Sequence, residues 1–303
     1  FATRYRGRTA IFAYDLLNEP AVNWDTKSMR EKWSGWLKKH YGSIEKLREA
    51  WGDGAATTNA PSTFGSIPVP PAKDAPGNRR LLDFQHFREH IADEWTRRQV
   101  AAIKAADPQA LVTVGLIQWS VPALLPGVQH YSAFKPARQA ELVDFMEIHF
   151  YPLASGFYEY AGEPEETANL AYVESVVGAV AACGKPVVVA EFGWYGGGRL
   201  TIDDDKHTAA TEAQQARWCR RLVEVTAGLA TGWLNWGFYD HPEARDVTQL
   251  TGLRTTDRKV KVWGQTFQTL AAQFAGKAVP SVPLGARPEL DWDACITSGS
   301  SAK

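Results

Sequence analysis

Pro186-Val187-Val188-Val189-Ala190-Glu191-Phe192 is a short apolar run without polar alternation, and a carboxylate sits near its end. Gly184-Lys185 opens it and the glycine-rich stretch Gly193–Gly198 follows it. Such a bounded run reads as a strand buried on both faces, as in a parallel sheet covered by helices. The pattern recurs along the chain. Thr9–Leu17 (TAIFAYDLL) ends at Asn18-Glu19-Pro20, where the proline stops ladder pairing. Leu111–Ile117, Val143–Tyr151 (VDFMEIHFY, closed by Pro152) and Gly232–Phe238 (GWLNWGF) read the same way. Helical patterns lie between and beside them: Ser28–Lys39, Ser43–Trp51 stopped by Gly52, Arg80–Ala106, Glu165–Ala182, Thr211–Leu229 and Trp263–Phe274. Strands alternating with helices predict an α/β fold of parallel βα units. Asn18, Glu19, His149, Tyr151, Glu191, Asn235 and Trp236 gather at the C-terminal ends of these strands, the end at which parallel barrels build active sites.

Composition narrows the function. Net charge is −1, so no basic face for nucleic acid is expected. No apolar run reaches the roughly 18 residues of a membrane span. The cysteines, Cys183, Cys219 and Cys295, are odd in number and widely spaced, which argues against a metal knuckle or a disulfide scaffold. One disulfide stays open, with free or buried thiols the default. Twelve tryptophans in 303 residues is a high share. They serve either a tryptophan-rich core or a cleft where rings stack on the C–H faces of sugars.

Glycosidic hydrolysis needs an acid for the leaving oxygen and a second carboxylate that attacks or activates water. Glu19 and Glu191 each terminate an apolar strand, where a carboxylate is costly unless solvated, paired or used. Tyr14-Asp15-Leu16-Leu17-Asn18-Glu19-Pro20 resembles the acid/base motif ending the fourth strand of clan A glycoside hydrolases, particularly glycoside hydrolase family 5. Val188-Val189-Ala190-Glu191-Phe192-Gly193 resembles the nucleophile motif ending the seventh strand, and His149-Phe150-Tyr151 the His-x-Tyr ending the sixth. Trp236 resembles the tryptophan under the sugar-binding subsite, and Gly252-Leu253…Lys261…Trp263-Gly264 the C-terminal end of the domain.

The resemblance implies a (β/α)8 TIM barrel and a retaining β-glycoside hydrolase working through a glycosyl-enzyme. Glu191 is then the nucleophile and Glu19 the acid/base. Asn18 would bind the sugar 2-hydroxyl, Tyr151 would aim Glu191, and His149 would contact a hydroxyl or the acid/base region. His149 and Trp236 are alternatively plain packing. Trp194, Tyr195, Trp119 and Trp24 follow strand ends and are either sugar platforms or packing residues, and Asp240 and His241 are further candidates for a substrate hydroxyl. No cofactor and no metal is implied; the partner is an oligo- or polysaccharide.

Only five strands are visible, matching strands four to eight, so the first three βα units are expected to lie outside this sequence. Those units would bring an arginine and a histidine to the site. The expected organisation is a catalytic barrel over 1–277, with an insert at 27–78, and a tail over 278–303. The stretch from Trp33 to Gly52 resembles an insert seen after the acid/base in some clan A β-galactosidases and related exo-enzymes, which favours a pocket and exo-action. β-Mannosidase, mannanase and endo-glucanase activities stay open, as do a transglycosylase and a non-catalytic sugar-binding protein. Sugar, linkage, compartment and oligomeric state are not legible.

Overall fold

A computed structural model describes residues 1–52, 61–70, 79–121, 132–152, 159–160, 162–202, 207–277, 291 and 293–294. The elements run α1 (Ala2–Tyr5), β1 (Tyr14–Asn18), α2 (Lys27–Tyr41), α3 (Ile44–Trp51), α4 (Arg79–Ala106), β2 (Val112–Ile117), α5 (Pro136–Gln139), β3 (Met146–Phe150), α6 (Glu163–Ala181), β4 (Val187–Phe192), α7 (Glu212–Thr226), β5 (Gly232–Asn235) and α8 (Val262–Phe274). The chain divides into two compact units.

The first unit gathers Phe1–Glu19, Ile103–Gln118 and Val143–Arg287, and so holds every strand. The sheet has five strands in the order β1-β2-β3-β4-β5, each neighbouring pair parallel. Strand order follows chain order, as in a βα barrel where each crossover advances by one strand. This is a partial (β/α)8 barrel. Val112, Val114 and Leu116 of β2, Met146, Ile148 and Phe150 of β3, and Val187, Val189 and Phe192 of β4 are buried. The apolar runs thus report strands flanked on both sides. α6 lies against β3 and β4, and α7 packs against both α6 and α8. Val173, Val176, Val177 and Val180 of α6 and Trp218, Cys219, Leu222 and Val223 of α7 are buried apolar faces.

The two edge strands differ. Leu17 of β1 is 40% exposed and Leu234 of β5 is 58% exposed. The first strand is also shorter than its apolar run: residues 9–13 make no ladder, and Phe12 lies open to solvent. Apolar character alone does not make a strand; it needs a partner for its N–H and C=O groups.

The second unit gathers Pro20–Ala102, Trp119–Leu142 and Pro288–Lys303. Its helices start and stop where side-chain chemistry dictates. The Thr26 hydroxyl caps α2 through the Met29 N–H, the Ser43 hydroxyl caps α3 through the Lys46 N–H, and Gly42 and Gly52 end them with positive φ. Trp33, Leu37, Leu47, Ile67, Phe84 and Phe87 form the core, with Trp24, Trp36 and Trp51 against it. Below them the buried Asp83 accepts from the Tyr41 hydroxyl and, at 2.7 Å, from Trp51 Nε1. Trp33 is wholly buried and meets Phe84 edge-on at 5.4 Å and Phe87 at 5.3 Å. Trp33→Ala is therefore expected to cost about 3–5 kcal/mol, read as a lower midpoint in chemical denaturation; an unchanged midpoint would mean that this cluster does not hold the unit together.

Of the cysteines, Cys183 and Cys219 are free thiols, and burial pushes the Cys219 thiol up to about 12. Cys295 lies outside the described residues, as do residues 53–60 and 71–78 of the expected insert and most of the expected tail. No helix among the described residues is long and apolar enough to cross a membrane.

Candidate active site

β1 ends by placing Asn18 opposite Gly115 of β2. Glu19 follows with φ +43°, its N–H donated to the Gly115 carbonyl at 2.9 Å. A side chain bearing a Cβ rarely occupies left-handed backbone, and the strain marks a position fixed by its surroundings. The turn swings the Glu19 carboxylate over the C-terminal end of the sheet, where its side chain is 32% exposed.

β3 and β4 supply the other groups. The buried His149 puts Nδ1 3.1 Å from Glu19 Oε1 and 3.6 Å from Glu191 Oε1. The Tyr151 hydroxyl donates to Glu191 Oε2 at 2.9 Å. Tyr151 is held in turn by Gln118, which was not singled out from sequence. The Gln118 Nε2 donates to the Tyr151 carbonyl at 2.9 Å, and the Tyr151 N–H donates to Gln118 Oε1 at 2.7 Å. One carboxylate oxygen each of Glu19 and Glu191, together with a His149 ring nitrogen, lie within 4.8 Å of one another. Such a donor set could hold a cation, but the hydrogen bonds among these groups and Tyr151 already account for their arrangement.

Electrostatics follow from this crowding. Burial raises the Glu191 carboxyl; the His149 charge and the Tyr151 hydrogen bond pull it down, and Glu19 and Glu147 push it up, leaving it above the ordinary carboxylate value. Burial also keeps the Tyr151 phenol well above its ordinary value, aided by the neighbouring Glu191 charge, so it remains a donor. Burial alone would discharge His149, but Glu147, Glu19 and Glu191 outweigh it and push the imidazole up to about 9.

Gly115 makes this approach possible. A Cβ there would lie 3.2 Å from His149 Cε1, 3.2 Å from Asp15 Oδ2 and 3.3 Å from Asn18 Cα. Gly115→Ala is expected to cost about 1–3 kcal/mol through overpacking. Thermal or urea unfolding measures it, and a variant as stable as the parent would show that the strands can part here freely.

Trp236 is 49% exposed just after β5, and its backbone N–H donates to the Phe192 carbonyl at 2.9 Å. Asn235 is a structural pin, donating to the Gly237 and Thr251 carbonyls and accepting from Trp263 Nε1 at 2.8 Å. Other expectations change. Trp194 is 1% exposed and Tyr195 is wholly buried, packed on each other and on His207, so neither offers a face to a sugar. Trp24 belongs to the core of the helical unit, edge-on to Phe84 and Phe87. Trp119 is half-buried in the same unit, in the turn Gln118–Ser120. Asp240 is buried and accepts from Lys261 Nζ and the Gly252 N–H, both at 2.9 Å, while Lys261 also reaches the Gly196 and Leu250 carbonyls. It anchors the loops after β4 and β5 instead of facing a substrate. His241 is exposed and donates its backbone N–H to the Thr248 carbonyl.

A β-galactosidase family model of glycoside hydrolase family 42 matches residues 1–193. A β-galactosidase of Thermus thermophilus is 32% identical over 117 residues, 37% of this chain and 18% of that protein. One from an Arthrobacter species is 25% identical over 195 residues, 63% of this chain and 25% of that protein. Among solved structures, a cold-adapted β-galactosidase from Rahnella superposes with a TM-score of 0.71 at 14% identity, over 99% of this chain and 41% of that one. The β-galactosidase from Halorubrum lacusprofundi gives 0.65 at 19% identity, over 91% and 40%. The chain thus spans about two-fifths of these solved chains and a quarter or less of the curated relatives. The clan-level resemblance stands, but the family does not: the match over residues 1–193 replaces family 5. The chain belongs to glycoside hydrolase family 42.

Proposed function

We propose that this chain carries the paired carboxylates of a retaining β-glycoside hydrolase of β-galactosidase type. The observation that supports this most directly is the approach of Glu19 and Glu191, which bring one carboxylate oxygen each to within 4.8 Å, a closeness that favours the shorter group separation of the retaining class. Inverting enzymes keep their carboxyl groups roughly 6.5–9.5 Å apart to admit a water; retaining ones hold them at about 5–5.5 Å. Glu191, aimed by Tyr151, attacks the anomeric carbon while Glu19 protonates the leaving oxygen. Glu19 then deprotonates the water that releases the glycosyl-enzyme. Asn18, beside Glu19 at the end of β1, binds the sugar 2-hydroxyl, and the exposed Trp236 ring carries the sugar's apolar face. The β-galactosidase relatives and the insert resemblance favour a β-galactoside and exo-action. The open edges at β1 and β5, with Leu17 and Leu234 exposed, are closed in the working enzyme by three further βα units.

Aryl β-galactoside, mannoside, glucoside and fucoside turnover by the full-length protein tests the reading. Galactoside hydrolysis is expected to lead, with the β-anomer released first by NMR. Release of the α-anomer, or binding without turnover of any of the four, would sink it.

A further inference from the structure

Glu147 lies two residues before His149 on β3, so strand alternation puts both side chains on one face of the sheet. It is the only acid in β3, its side chain is only 13% exposed, and no step of the proposed reaction uses it. Its Oε1 stands 3.8 Å from His149 Nε2, an ion-pair distance longer than a hydrogen bond. The other ring nitrogen, Nδ1, faces Glu19 and Glu191. The ring is also held from the side, since the bare Gly115 leaves only the space that His149 Cε1 occupies.

We propose that Glu147 is a positioning residue, which keeps His149 protonated and fixed so that one cation serves both members of the Glu19–Glu191 pair. The proposal rests on the glycosidase reading above. Its physical logic is charge balance. Around His149 stand Asp15 from β1 and Glu19 just after it, Glu147 from β3, Glu191 from β4 and the Tyr151 phenol, while β2 contributes the neutral Gly115. Two carboxylates this close resist being charged together. An imidazolium between them favours the ionised Glu191 that attack requires. Once Glu191 is esterified its charge is gone, and the His149 hydrogen bond to Glu19 remains to orient that carboxylate. A neutral histidine could keep its Nδ1–H toward the pair but would lack the positive charge that offsets both carboxylates. Glu147 supplies the second counter-charge, from the Nε2 side of the ring, opposite the Glu19–Glu191 pair at Nδ1, and transfers no proton itself. The neighbouring Asp15 is held by the Gly115 and Leu17 N–H groups, and its carboxyl is raised by burial and by Glu147.

The test uses the full-length protein. In the parent, the ¹⁵N shifts of the His149 ring, assigned with His149→Gln, are expected to be those of an imidazolium at pH 7.5; a neutral ring there overturns the proposal and needs no variant at Glu147. In Glu147→Gln, the His149 titration is expected to fall by about 1–3 pH units. With a dinitrophenyl β-glycoside the leaving group departs unprotonated, so the alkaline limb of kcat/KM is free of any need for proton donation. That limb should move down with the His149 titration in Glu147→Gln and return toward the parent in Glu147→Asp. A purely structural Glu147 would lower kcat at all pH values and leave both the limb and the titration in place, and that result overturns the proposal. If the parent turns over no glycoside, the functional reading fails instead, while the ring shifts still report whether Glu147 holds the charge.

Discussion

Glu191→Ala is expected to lower hydrolysis of an aryl β-galactoside by at least ~10⁴-fold, because it removes the atom that forms the covalent intermediate. Neither Tyr151 nor Glu19 can replace it. Tyr151, which donates to Glu191 Oε2, is a phenol held in its protonated form, and Glu19 is the proposed acid/base. Azide added to this variant should enter the space left by the carboxylate and attack from that side, giving an α-glycosyl azide. Product analysis by NMR checks the stereochemistry and initial rates check the loss. Activity within tenfold of the parent would remove Glu191 from the mechanism.

Glu19→Ala should behave differently, and the difference separates the two roles. Loss of proton donation is expected to cost ~10²–10⁴ for a glycoside with a poor leaving group. A dinitrophenyl glycoside should still form the glycosyl-enzyme quickly and then stall, seen as a burst followed by slow turnover. Azide should relieve the stall by attacking the intermediate, and its product is then the β-glycosyl azide. Opposite anomers from the two variants would assign nucleophile and acid/base without reference to any relative. An α-azide from Glu19→Ala would mean the roles are reversed. Each variant must be shown to fold, since Glu19 occupies a left-handed backbone position next to Pro20 and Glu191 lies among four other polar groups.

The strands were readable because burial on both faces leaves a signature. β2, β3 and β4 came out nearly where the apolar runs put them, since each has ladder partners on both sides. β1 and β5 came out shorter than their runs, at the edges where partners are lacking. The helical unit was legible only piecewise. Its caps at Thr26 and Ser43 are local chemistry, but the joining of α2, α3 and α4 into one core through Trp33, Phe84 and Phe87 is a contact across about fifty residues, which periodicity does not encode.

Within the site, residue type and strand position singled out Glu19, His149, Tyr151 and Glu191, because a polar group at the end of an apolar strand needs a reason to be there. The same rule could not separate Trp236, which is half exposed, from Trp194, which is buried three residues after Glu191. Both follow a strand, and whether a loop ring turns in or out depends on what other elements bring to meet it. Asp240 shows the same limit: its partner Lys261 is twenty-one residues away, and only folding joins them into a buried ion pair. Glu147 was hidden for a simpler reason. It sits inside the run and not at its end, so it reads as an interruption until the pleat puts it beneath His149.

The sequence by itself determined the parallel βα order, the strand ends and the residue types offered there, because these follow from local periodicity and the cost of burying charge. Only the tertiary structure decided which of those residues meet, which tryptophans face solvent, and that His149 bridges Glu19 and Glu191 with Glu147 behind it. Those outcomes depend on register between strands and on a glycine at one crossing point, and distances of three to four ångströms across a sheet are set by packing that no single segment contains.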